Sequence, residues 1–110
     1  MKLPNAEQAI VDIANLRDYS LNATHEEGKH KARVLAAALE LDATDADWLR
    51  AELLDAVARY DCEMGRTTPH GQRYILDFPL TIGTRQARVR SVWNVRPREN
   101  APRLVTCYVL

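Results

Sequence analysis

The densest group of side chains able to do chemistry is Gly28-Lys29-His30-Lys31-Ala32-Arg33. Metal-independent phosphodiester cleavage needs a group that takes a proton and cations that stabilise charge developing on the phosphoryl oxygens, and a histidine among lysines and arginine offers both. On a helix, His30 stands three residues before Arg33 and four before Val34, so the spacing predicts an imidazole turned toward the margin of the core. The competing reading is a histidine that satisfies a local backbone group, with the cations solvated. His25 is expected in an exposed loop. His70, just before the first long strand, is placed either to reach a site at the sheet edge or to stay in solvent.

Two further patterns pair a hydroxyl with an aromatic ring, Ser91-Val92-Trp93 and Thr106-Cys107-Tyr108. Residues two apart on a strand share a face, so each pattern could set a phosphate hydrogen bond beside a ring that stacks on a base. Trp93 has an equally simple reading as the central core residue of a small sheet. Cys62 and Cys107 are too few and too far apart for a zinc motif, and no glycine-rich phosphate loop, nucleophile elbow or cofactor fingerprint occurs. The expectation is chemistry by side chains alone, with no metal and no cofactor.

Charge singles out one half of the chain. Fifteen basic and fifteen acidic residues cancel overall. Residues 1–65 hold 7 Lys/Arg against 13 Asp/Glu, a net of −6, and residues 66–110 hold 8 against 2, a net of +6. All eight cations of the second half are arginines, whose planar fork matches phosphate and stacks on bases. Acidic helices neutralising a basic sheet within one domain give the same count.

The elements that must position these groups fall into two sets. Asp12 precedes a short helical spacing at Ile13, Leu16, Tyr19 and Ser20. Residues 22–28 read as a loop, although Thr24 to Glu27 also fits a capping box. An alanine-rich helix is predicted over 29–41. Thr44-Asp45-Ala46-Asp47 caps a third helix with Leu49, Leu53, Ala56, Val57 and Tyr60 on its buried stripe and Trp48 near its start. Residues 61–71 read as a loop, after which the period changes from 3.6 to 2. Tyr74, Leu76, Phe78 and Leu80 mark one strand, Ala87 to Val95 a second and Leu104 to Leu110 a third. In the middle strand Ala87, Val89, Ser91, Trp93 and Val95 oppose Arg88, Arg90, Val92, Asn94 and Arg96. Arginines at alternate positions stand about 7 Å apart, close to the phosphate spacing of a nucleic-acid strand.

The expected fold is α+β, with N-terminal helices on one face of a C-terminal antiparallel meander. The 110 residues suffice for one domain, mainly helical and acidic over 1–65 and mainly strand and arginine-rich over 66–110. The longest uncharged apolar run, Val34 to Leu39, is too short to span a bilayer, and Met1 to Asn5 lacks an apolar signal core. A cytoplasmic location without membrane contact is therefore the expectation.

Several stretches carry a resemblance to a known family: Leu3-Pro4-Asn5-Ala6-Glu7, Leu16-Arg17-Asp18-Tyr19, the Gly28 to Val34 run, Gly71-Gln72-Arg73-Tyr74, Val92-Trp93 and Pro102 to Tyr108. Together they resemble a family of short bacterial domains known as domain of unknown function DUF6883 and sometimes labelled adhesin-like, because related domains sit at the tips of large secreted proteins. Such tips are often toxins, and helices followed by a meander are similar to the barnase, EndoU, colicin E5 and RelE group of metal-independent ribonucleases. That resemblance implies a toxin-type endoribonuclease acting within its own cell under an antitoxin or immunity protein, with homodimerisation left open. His30 is then expected to take the 2′-hydroxyl proton, Lys31 and Arg33 to stabilise the phosphorane, and Thr106 to hold a phosphate oxygen. Arg88, Arg90, Trp93 and Tyr108 are expected to position RNA, and His70 or Tyr74 to protonate the leaving oxygen. The alternative is a non-catalytic module, such as an antitoxin, immunity protein or adaptor. The ribonuclease expectation requires that His30 and the arginine strand share one concave, wet surface.

Overall fold

The computed structural model describes residues 1–22 and 29–110, Tyr19 through its backbone alone. His25 and the Thr24–Glu27 capping pattern lie outside the described residues. Asp12 caps the first helix as expected, its carboxylate accepting from the Ala14 N–H at 2.9 Å. This helix, α1 (Ile13–Asn15), widens into one π turn over Leu16–Ser20. Helix α2 (Lys29–Leu39) buries Ala32, Leu35 and Leu39, a three-and-four spacing that gives it a single inward stripe. It stops two residues earlier than its apolar content suggests, at Glu40, whose φ of 58° is the left-handed turn that closes many helices. A capping box follows. Asp42 accepts from the Thr44 N–H, and the Asp45 carboxylate accepts from the Asp42 N–H, so the cap lies two residues before Thr44. A 3₁₀ turn leads into α3 (Ala46–Arg59), which buries Leu49, Leu53, Ala56 and Val57 as its sequence period requires.

The second half is a four-stranded antiparallel meander: β1 (Glu63–Thr68), β2 (Gly71–Ile82), β3 (Arg85–Val95) and β4 (Arg103–Val109), in that order across the sheet. Strand β1 corrects the loop expected over 61–71. Its apolar alternation is absent because it is an edge strand with four of its six residues exposed. Its hairpin partner begins at Gly71, whose φ of 132° and close approach to Val95 exclude a side chain; an added Cβ would lie 2.1 Å from the Val95 carbonyl oxygen.

Helices cover one face of this sheet, giving the α+β architecture. Leu76, Phe78 and Leu80 of β2, Val89 and Trp93 of β3, and Leu104 and Cys107 of β4 form the core with Leu16, Leu35, Leu39, Leu49 and Leu53. Within it the Trp93 indole donates to Ser91 Oγ at 2.9 Å, and Ser91 donates to the Leu76 carbonyl at 2.8 Å. A buried donor is thereby satisfied without solvent. At the outer edge of β4, Ile10 pairs in parallel with Arg103, and the Asn15 amide donates to the Val105 carbonyl.

Two bulges set which side chains reach the other face. In β4 the register passes from Val92–Thr106 to Trp93–Leu104, so Val105 is an extra residue. Leu104 and Cys107, three apart, both face inward, and Thr106 and Tyr108 face outward beside Val92 and Arg90. In β1 the register passes from Met64–Tyr74 to Thr67–Gln72, leaving Gly65 and Arg66 opposite Arg73. The Gln72 amide straps this bulge by donating to the Gly65 and Arg73 carbonyls at 2.8 and 3.0 Å.

Candidate functional site

The face of the sheet away from the helices is the arginine face that strand alternation predicts, and cross-strand pairing arranges it in rows. Ile75 pairs with Val92 and Val92 with Thr106; Asp77 pairs with Arg90 and Arg90 with Tyr108. The second row is a connected polar chain. Arg90 donates two hydrogen bonds to the Asp77 carboxylate, each 2.9 Å, in the bidentate geometry that guanidinium and carboxylate favour. This holds the Asp77 carboxyl below the usual carboxylate range. The same bonds raise Arg90, with a lesser contribution from a hydrogen bond to Tyr108.

Helix α2 joins the row from its flank. Lys31 Nζ donates to Thr106 Oγ1 at 3.1 Å and sits 5.2 Å from the centre of the Tyr108 ring. The ammonium stem thus reaches past edge strand β4 to its outer side, bringing together Lys31, Thr106, Tyr108 and Arg90. All four are residues whose types suggested chemistry.

Beside this chain lies a depression of about 380 Å³. Arg66, Arg73 and Arg90 surround it, Ile75 and Val92 supply its apolar lining, and Thr68 and Tyr108 complete its walls. It is cationic because the β1 bulge brings Arg66 opposite Arg73 and because alternation on β3 supplies Arg90. Gly65 also lines it, where a Cβ would press within 3.3 Å of the Arg73 carbonyl oxygen. A second depression, sharing Ile75 and Arg90 with the first, contains Arg88 and three carboxylates, Asp61, Glu63 and Asp77. Among the described residues no group of three or more His, Cys, Asp or Glu side chains is arranged to hold a metal ion.

The remaining predicted site residues lie elsewhere. His30 and Val34 are both exposed, Val34 by 46%, and the buried stripe runs through Ala32, Leu35 and Leu39 instead. On a period of 3.6 that stripe puts His30 nearly opposite Leu35, so the imidazole expected at the core margin points to solvent. Arg33 is exposed on the same helix. Trp93 is fully buried within the core and cannot stack on a bound base; Tyr74 is buried on the same helix-covered face and cannot serve as the acid for a site on the other. His70 is exposed in the β1–β2 turn and lines neither depression. Arg66, Arg73 and Asp77 are site residues that the sequence pattern does not single out. Arg66 fell in the apparent loop, and the partnership of Asp77 with Arg90 depends on strand register that composition does not reveal. The Thr67-Thr68-Pro69-His70-Gly71 run, β-branched residues followed by turn residues, was the available signal for β1.

Among the described residues no helix is long and apolar enough to cross a membrane. A family model described as a domain of unknown function, DUF6883, matches residues 2–110. No curated protein and no solved structure matches the chain.

Proposed function

The chain belongs to the DUF6883 family, and from the geometry of its arginine face we propose that it is a small metal-independent endoribonuclease of the bacterial toxin type. The observation that carries the reading is the gathering of Arg66, Arg73, Arg90 and Tyr108 around one depression, with Lys31 and Thr106 at its β4 side. Three guanidinium groups, one of them already paired with Asp77, leave two positive charges in excess, enough for a phosphodiester and for the more highly charged phosphorane formed from it. His30, exposed and outside both depressions, does not meet the condition set for a histidine-driven ribonuclease, so the histidine mechanism is dropped and the proposal rests on the arginine face alone. Tyr108 takes over the role of acid, because Tyr74 is sealed on the opposite face.

In this mechanism the 2′-hydroxyl oxygen bonds to phosphorus as the bond to the 5′ oxygen breaks. The Tyr108 hydroxyl donates a proton to the departing 5′ oxygen, and the 2′ proton passes to solvent. Arg90 and Lys31 hold the phosphoryl oxygens, and Thr106 keeps Lys31 in place. Toxicity follows from cleavage of cellular RNA, and a cognate inhibitor covering the arginine face is the partner this implies.

The test is cleavage of an end-labelled RNA in EDTA by wild type, Tyr108→Phe and His30→Ala. Tyr108→Phe is expected to slow cleavage by about 100-fold or more, with His30→Ala within about twofold of wild type. Equal rates for wild type and Tyr108→Phe would overturn the mechanism. Tight RNA binding without any cleavage would assign the chain to the non-catalytic binding class instead.

A further inference from the structure

The depression has an interior that phosphate alone does not explain. Between the guanidinium groups, Ile75 and Val92 pair directly across β2 and β3 and expose apolar surface on the outward face, each only half-buried. Its volume, about 380 Å³, falls in the range of small-molecule sites, roughly 300–1,000 Å³. A site built only to neutralise phosphate has no use for an apolar floor, because anionic oxygens gain nothing from methyl groups. A nucleobase does: its flat face is apolar, and an arginine beside it can stack on the same ring.

Resting on the reading above, we infer that this depression accepts one unpaired nucleotide, its base over Ile75 and Val92 and its phosphate among Arg66, Arg73 and Arg90. The substrate class is therefore single-stranded RNA. In a duplex the bases are stacked on each other and paired, so only sugars and phosphates meet a protein surface of this width. The guanidinium groups would still attract duplex phosphates, but the floor would stay unfilled. The preference comes from the base and is tolerant of its identity, because every base presents a π-face.

Fluorescence anisotropy with a 2′-O-methyl oligonucleotide, which cannot be cleaved by 2′-hydroxyl attack, tests this against a blunt duplex of the same sequence at fixed salt. The single strand is expected to bind at least about tenfold more tightly. Val92→Asn, which removes the apolar floor without adding charge, is expected to remove most of that advantage while leaving the duplex affinity, set by the guanidinium groups, within about threefold. Val92→Thr, which keeps the β-branched shape of the strand residue, is expected to produce a smaller loss in the same direction and guards against misfolding of the asparagine variant. Equal affinity of wild type for the two forms, or a preference that survives in both folded variants, would overturn the inference and leave the ribonuclease reading standing. Failure of wild type to bind either form would overturn that reading itself.

Discussion

Lys31 Nζ and Thr106 Oγ1 are 3.1 Å apart although 75 positions separate them in the chain, and this bond ties the flank of α2 to the outward side of β4. It positions the ammonium against the Tyr108 ring. Thr106→Val keeps the branched shape and removes the acceptor, so it is expected to cost about 0.5–1.5 kcal/mol in urea denaturation. Cleavage by this variant should fall further than its folded fraction does. Lys31→Met, which retains the aliphatic stem but loses the charge, should reduce cleavage more severely than Thr106→Val.

Arg66 and Arg73 face each other across the β1 bulge, and neither has a carboxylate partner among the ion pairs of the described residues. If each neutralises one phosphate, replacing either with alanine should flatten the salt dependence of single-strand affinity. The slope of log K against log salt is expected to decrease by about 0.7 for each arginine removed. Titrations at several salt concentrations measure this directly.

The Asp77–Arg90 pair makes a prediction about acid. Its carboxyl titrates below the usual carboxylate range in the folded chain because Arg90 hydrogen-bonds the carboxylate. The stabilisation is therefore present above about pH 4 and is lost as pH falls through the lower folded value. Asp77→Asn should lower stability at neutral pH by about 1 kcal/mol or less, in keeping with a pair that solvent partly reaches, and make the acid limb of stability against pH shallower. The same variant should bind RNA more tightly, since it leaves Arg90 without a competing carboxylate.

Ser91 bridges the Trp93 indole and the Leu76 carbonyl in the interior. Ser91→Ala strands a buried N–H and is expected to cost about 1–3 kcal/mol by thermal or urea unfolding. RNA affinity of the folded variant should be unchanged, because the opposite face of the sheet is untouched.

Cys107 is fully buried, and burial pushes its thiol up to about 11, against smaller opposing contributions from the Ser20 hydroxyl and the Lys31 charge. The unfolded thiol titrates near 9.0, so this contribution to stability is intact below that pH and fades between about 9 and 11. At pH 8.5 the native protein should resist alkylation at Cys107, and denaturant should expose it to rapid modification. Mass spectrometry of the alkylated peptide reads the difference.

The architecture was legible where one periodicity held throughout. The stripe of α3 and the alternation of β2 and β3 identified the inward residues, and the reverse of β3 identified Arg88 and Arg90 as outward. Legibility failed where a residue was inserted. Two side-chain directions in β4 cannot be read from a strand apolar on both faces, because the register shift at Val105 breaks the alternation. Edge strand β1 was missed for a related reason, since a bulged and mostly exposed strand has neither apolar run nor period. For His30 the error was one of phase: its spacing from Val34 was real, but Val34 is outward too.

Val105 gives the last strand a tolerance that its neighbours lack. Deleting that single residue would leave Leu104 and Thr106 adjacent, opposite Trp93 and Val92, so the ladder would become regular with the thiol still inward and the phenol still outward. The loss would fall on the carbonyl that accepts from Asn15, so a change of one codon would loosen the N-terminal segment from the sheet edge and spare the arginine groove.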